Sequence, residues 1–252
     1  MILHTQNDRV AVISDVHGNR WALAAVLGDI GARQITVIVN LGDCLYGPLD
    51  PAGTARMLMR LDALTVCGNE DRAVTEAPER TDISPTLDFV RNSLGAEELE
   101  WLGSLKKTAA VGGDLFLFHG TPESDEEYLL QTVDKSGVSL RSTGELAGML
   151  SYIEAPVILC GHDHTPGTVE LPDGRLIVNP GSVGLQAYTD DKPFPHVIQT
   201  GSPHARYSIL SRTSAGWQVE NIAVVYDWQA ASAAALTNGR PDWAAWLRTG
   251  RA

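Results

Sequence analysis

The sequence predicts a mixed α/β fold of stacked layers built on two sheets. Three observations predict it. Strands and helices alternate as βαβαβ over roughly the first third of the chain. The second half turns to hairpin-rich β-structure. Short apolar runs in both halves end beside a glycine and a histidine, aspartate or asparagine. Open α/β sheets gather their ligands at such strand ends.

The elements follow in order. Arg9–Ser14 reads as a short buried strand, with Val-Ala-Val-Ile at its centre. Over Arg20–Ile30, Trp21, Leu23, Ala24, Leu27 and Ile30 recur at helical spacing. Thr36–Asn40 is a second, β-branched strand. Pro51–Leu61 reads as a helix, with Asp50 as N-cap and proline at the first helical position. Ala63–Cys67 is a third strand, and Pro85–Ser93 and Glu97–Leu102 read as helices. Leu115–His119 and Pro156–Cys160 are strands. Val169–Leu171 and Arg175–Asn179 flank the turn Pro172-Asp173-Gly174, and Tyr207–Arg212 and Trp217–Val225 flank Thr213–Gly216; both pairs read as hairpins. Asp227–Leu236 and Asp242–Leu247 close the chain as helices. No linker, repeat or charge run divides it, so residues 1–252 read as a single domain. The acidic stretch Glu123–Glu127 and the proline-rich Asp190–Pro203 read as mobile loops.

Composition narrows the function. Of 252 residues, 44% are hydrophobic and 20% charged, as in ordinary globular proteins. No apolar run approaches the roughly 18 residues of a membrane span, and Met1–Asp8 lacks the pattern of a secretory signal. A cytoplasmic protein with no membrane partner is expected. The net charge of −12 argues against a broad basic face, and so against long nucleic acid as a partner. Cys44, Cys67 and Cys160 form neither a disulfide framework nor a CxxC pair, and read as small buried residues at strand ends.

The chemistry lies in the polar residues at those ends. His17 sits in Asp15-Val16-His17-Gly18-Asn19, Asp43 in Gly42-Asp43 and Asn69 in Gly68-Asn69. His119 sits in Phe118-His119-Gly120, and His162 and His164 in Gly161-His162-Asp163-His164. Imidazole, carboxylate and amide oxygen without sulfur suit Mn, Fe, Zn or Ni. Four histidines, two aspartates and an asparagine exceed what one ion takes, so two divalent ions are the natural reading. Two dications beside two carboxylates make a locally positive pocket in an acidic protein, which suits a phosphate ester. Asn19 reads as the cap of the first helix, Asp163 as solvated or supporting rather than ligating, and His4, His196 and His204 as surface residues. Tyr46, Tyr188 and Arg206 are candidates to line a substrate pocket.

In this order the motifs DxH, GD, GN, H and GHxH resemble those of the calcineurin-like metallophosphoesterases. Asn179-Pro180-Gly181-Ser182-Val183-Gly184 is similar to a segment of the bacterial phosphodiesterase-like branch. The resemblance implies a four-layer α/β/β/α sandwich with a dimetal site at the strand ends. It implies that Asp15, His17 and His164 hold one metal, that Asn69, His119 and His162 hold the other, and that Asp43 bridges them. Manganese is the favoured ion, with iron, zinc or nickel as alternatives. It further implies a phosphoesterase in which a metal-bridging hydroxide attacks phosphorus in line, on small phosphodiesters or nucleotides. The alternatives are a phosphomonoesterase, a dinucleoside-polyphosphate hydrolase, or a weakly catalytic metal-containing protein-binding module.

Two departures bear on catalysis. The family pattern GNH continues here as Gly68-Asn69-Glu70-Asp71, so Glu70 stands where a leaving-group histidine is usual. Glu70 as general acid, a metal-bound water as donor, or weak catalysis are the readings open. The arginine that follows GD in protein phosphatases is absent from Cys44-Leu45-Tyr46-Gly47-Pro48, which argues for a small ester over a phosphoprotein.

Overall fold

The computed structural model describes residues 9–76 and 84–252. The first sheet is built on β1 (Arg9–Ile13), β2 (Val37–Asn40) and β3 (Ala63–Thr65), which run parallel. The second is built on β5 (Leu115–Phe118), β8 (Val157–Leu159) and β10 (Leu176–Asn179), also parallel. Antiparallel strands complete both. β13 (Ala205–Thr213) pairs with β1 and with β14 (Gly216–Val224), giving the order β14-β13-β1-β2-β3. β4 (Thr108–Val111) and β9 (Gly167–Glu170) flank the second sheet in the order β4-β5-β8-β10-β9.

Alternation of side chains decides the layers. Val10 and Val12 point to one face of β1 and join Val39, Leu117, Leu159 and Val178 in a core shared by the two sheets. Ala11 and Ile13 point the other way, onto α1 (Arg20–Ala32) and its neighbours α2 (Pro51–Leu58), α4 (Pro85–Ser93) and α5 (Ala96–Ser104). α7 (Trp228–Thr237) and α8 (Pro241–Thr249) complete that helical layer. On the far side, Phe118, Ile158, Cys160 and Ile177 pack against α6 (Thr143–Met149). The architecture is the four-layer α/β/β/α sandwich. Strands buried on both faces explain the unbroken apolar runs of the sequence.

Several expectations need adjustment. The second helix stops at Leu58, and a turn replaces the anticipated stretch to Leu61. α3 (Asn69–Glu76), β4, α6 and two small hairpins were not anticipated. The hairpins pair β6 (Gln131–Asp134) with β7 (Gly137–Leu140), and β11 (Ala187–Asp190) with β12 (His196–Gln199). β12 lies within Asp190–Pro203, so that stretch is partly a strand and not simply a loop. His196 is buried at 7% exposure, accepting from Tyr128 at 2.9 Å, and is not a surface residue. His204 is half-buried against Trp228, while His4 lies outside the described residues. The acidic stretch is anchored: Arg72 of α3 grips Asp125 at 2.7 and 2.9 Å, and Arg141 pairs with Glu127. Among the described residues no helix is long and apolar enough to cross a membrane.

Candidate dimetal centre

The carboxyl ends of the six parallel strands converge on one place. β1 leads to Asp15 and His17, β2 to Asp43 and β3 to Asn69; β5 leads to His119, and β8 to His162 and His164. Asp15, His17 and His164 form one buried group, and Asp43, His119 and His162 form another. Within each group the atoms that could ligate a metal lie within 4.8 Å of one another. His17, Asp43 and Glu70 form a third overlapping group, so Asp43 faces both sides. Asn69 joins the second group, its Oδ1 lying 3.0 Å from His119 Nε2. The seven candidate ligands and Glu70 therefore meet in one site.

The backbone there is unusual. Asp15, His17, Asp43, His162 and His164 have φ between +52° and +72°. Non-glycine residues adopt that region at a cost, and such residues cluster at functional sites. Here it lets two alternate residues after one strand turn to the same point. Close packing of the turns adds to this: a Cβ on Gly68 would lie 2.1 Å from Asp43 Oδ1. Only glycine fits.

Hydrogen bonds orient the rings. His17 Nδ1 lies 3.0 Å from the carbonyl of Tyr46, His119 Nδ1 2.7 Å from that of Leu41, and His164 Nδ1 2.7 Å from that of Leu185. A carbonyl only accepts, so each Nδ1 carries its proton and each neutral ring directs an Nε2 lone pair inward. There the inward atoms meet one another. His17 Nε2 and His164 Nε2 are 2.9 Å apart, and His119 Nε2 lies 3.2 Å from Asp43 Oδ2. Asp15 Oδ1, 3.3 Å from His164 Nε2, is buried with no hydrogen-bond partner. Acceptors facing acceptors require a cation, either a proton or a metal ion. The residues present fit divalent metals.

In the protein alone, protons take that place. Burial opposes a charged His17, but the carboxylates of Glu70, Asp43 and Asp15 outweigh it and lift the ring to about 9. His119 rises to about 10 because Asp43 outweighs its burial. Burial and the charge of His119 push His162 down to about 4. Burial also opposes an ionised Asp43, yet the surrounding histidines hold it well below the usual carboxylate range. Burial pushes Glu70 up to about 7, against the pull of His17 and with Asp43 and Asp71 adding to the rise. Its carboxylate lies 3.1 Å from His17 Nδ1, and its side chain stays 27% exposed to the cavity above.

The supporting residues explain the Asn179–Gly184 segment. Asn179 donates to Gly161 O and Asp163 Oδ1 and accepts from Gly181 N. Ser182 donates to Asp15 O and accepts from Leu185 N. The segment thus clasps the two loops that carry Asp15, His17, His162 and His164. Asp163 is buried within it and is not solvated. Asp71, overlooked in the sequence, accepts from the backbone of Cys44 and Gly68 and ties the turns after β2 and β3 together. Asn19 caps α1 through Ala22 N. Burial holds the Cys44 and Cys160 thiols well above their usual range, so they stay protonated.

A cavity of about 220 Å³ opens over the cluster. Tyr46 and Tyr188 line it as anticipated, whereas Arg206 is not among its lining residues. Tyr128, Arg240, Trp243 and Trp246 also line it, and nothing local in the sequence marked them.

The family model described as the calcineurin-like phosphoesterase superfamily domain matches residues 9–198. The chain belongs to that superfamily. It is 28% identical over 249 residues to an uncharacterized protein of Methanocaldococcus jannaschii, covering 93% of this chain and 94% of that one. It is similar to the crystal structure of a metallophosphoesterase from Sphaerobacter thermophilus, with a TM-score of 0.76 and 26% identity over 97% of this chain and 99% of that one. The fold is also shared with a protein named as a candidate diadenosine tetraphosphatase, at a TM-score of 0.55 and 20% identity over 88% of this chain and 96% of that one. Members of this superfamily are phosphoesterases that use divalent metal ions, and the clusters described here are candidate sites for them.

Proposed function

We propose that this superfamily member hydrolyses small phosphodiesters or nucleotides with two divalent ions, manganese being the favoured metal. The observation that carries the reading is the ring orientation: three histidines each donate Nδ1–H to a backbone carbonyl and turn Nε2 toward carboxylates at the foot of a cavity. Asp15, His17 and His164 would hold one ion, and Asn69, His119 and His162 the other, with Asp43 between them. When bound, the ions supply polarisation of phosphoryl oxygens and a water acidic enough to attack near neutral pH.

The remaining work falls to the protein. The carbonyls of Tyr46, Leu41 and Leu185 keep the rings in the tautomer a metal needs. Asn179 and Ser182 keep the ligand loops in register. Glu70 lines the cavity, and burial lifts its carboxyl to about 7 against the pull of His17, which supports a role in protonating the leaving oxygen. Glu70→Gln should then lower turnover most for esters with poor leaving groups; undiminished turnover at every pH would remove Glu70 from that role.

The deciding experiment compares bis-p-nitrophenyl phosphate, p-nitrophenyl phosphate and a dinucleoside polyphosphate on chelator-stripped protein reloaded with Mn²⁺. Diester turnover that exceeds monoester turnover and vanishes with chelator supports the reading. Failure to turn over any of the three, with both metals bound, overturns it.

A further inference from the structure

α8 stands over the metal-ligand cluster and lies beyond residues 9–198, which the family model matches. Trp243 packs edge-on against the His17 ring, with centroids 5.9 Å apart. It is buried, and a Cβ on Gly47 would come within 3.0 Å of its ring. Trp246, one turn on, is half-buried with its ring 6.3 Å from that of Trp243. Trp246, Tyr46 and Tyr188 line the same cavity as the ligands.

Arg240 is the one lysine or arginine lining that cavity among the described residues. Its Nε and Nη2 donate to Asp242 at 2.9 and 2.7 Å, and its Nη1 donates to Thr86 Oγ1. These bonds fix the guanidinium plane and leave two of its five N–H donors for a ligand. An oriented cation beside aromatic faces matches a ligand that joins an anion to a flat ring. Asp190, at the rim, can accept from ring or amino N–H groups, which a nucleobase offers and a plain aryl group does not. The rim leads into a wider cleft of about 1090 Å³ that includes Glu126 and Glu127. Those carboxylates oppose a long polyanion and favour a single nucleotide unit.

We propose that α8 and Tyr46 form a nucleobase subsite, so that the ester hydrolysed is a nucleoside phosphate with its base against Trp246 and its phosphate side reached by Arg240. This rests on the reading that the adjacent cluster takes the phosphoryl group.

Calorimetry on the full, Mn²⁺-loaded chain with AMP and ribose 5-phosphate tests it. The two probes share the phosphate and sugar and differ in the base. AMP should bind at least about tenfold more tightly. Loss of one base–aromatic stack corresponds to about fivefold or more in affinity. Trp246→Ala should therefore weaken AMP by that factor, leave ribose 5-phosphate within about twofold, and be rescued by Trp246→Phe. Equal affinity of the two probes on the unaltered protein overturns the subsite, and that comparison stands even where a variant fails to fold. A Trp246→Ala protein that folds, loads metal and keeps the same AMP preference also overturns it. Metal loading with no binding of either probe overturns the phosphoesterase reading itself, and the subsite with it.

Discussion

Replacing Asn179 with alanine should loosen the ligand loops and destabilise the whole chain. Asn179 is fully buried and makes three hydrogen bonds, at 2.8, 3.0 and 2.9 Å. Gly161 O retains a bond from Asp163 N, and Asp163 Oδ1 retains one from Thr165 N, so each loses one of two partners. Gly181 N–H is orphaned outright. The orphan costs about 1–3 kcal/mol and each other lost bond about 0.5–1.5 kcal/mol. The sum centres on about 4 kcal/mol, or roughly 8–16 °C in Tm for a chain of this length. Scanning fluorimetry in chelator reads this directly. Asn179→Leu fills the space without the hydrogen bonds and should be destabilised by a similar amount, which separates lost polar contacts from an empty cavity. Because the freed loop carries His162 and His164, Mn²⁺ affinity by calorimetry should fall about 10–100-fold. A Tm within about 2 °C of the unaltered protein, with metal affinity unchanged, would refute the assignment of this segment as the clasp of the site.

Gly68→Ala places a Cβ 2.1 Å from Asp43 Oδ1 and 2.4 Å from Asp43 N, so the variant should lose metal at the Asp43 side; the stoichiometry of Mn²⁺ binding measures it. Arg72→Met removes the grip on Asp125 and should cost about 1 kcal/mol at neutral pH, the groups being partly wet. Burial raises the Asp125 pKa but Arg72 outweighs it and holds it below normal. The pair's contribution is thus complete above the unfolded carboxylate value of about 3.9 and fades as pH falls through the lower folded value. Denaturant melts of the two proteins should converge in acid, and a gap that widens there would contradict the sign. Burial raises all three thiols, Cys67 to about 12, so all stay protonated at neutral pH; exposure decides the order, and half-buried Cys67 should react first while Cys44 and Cys160 resist a thiol reagent until the chain is unfolded. Fast labelling of all three in the native protein would show that these strand ends open.

Much of the site was legible because each of its groups follows its own strand. Val-Ala-Val-Ile before Asp15 and Val-Ile-Leu-Cys before His162 are apolar runs that can only be buried, and the glycines beside the polar residues mark the turns. Chain order and residue type sufficed to bring out the residues that meet in the site and the layered fold. They did not reveal the rest of the helical wall. Arg240 and Trp243 reach the cavity from more than 190 residues beyond Asp43, and only the stacking of α8 on the first sheet's helices brings them there. His196 reads as a polar residue among prolines, yet the β11–β12 hairpin turns it inward to Tyr128. Glu123–Glu127 reads as a solvated acidic run, yet Arg72 waits across the gap.

The sequence by itself determined the main strands and helices that carry the site, because periodicity, caps and turn residues act locally, and it determined the donor set offered to a metal. Tertiary structure alone decided how those donors point. The left-handed backbone of Asp15, His17, Asp43, His162 and His164, and the carbonyls of Leu41, Tyr46 and Leu185 that fix the imidazole protons, have no residue signature. Any residue carries a carbonyl, and only the meeting of two sheets decides which one faces a given ring.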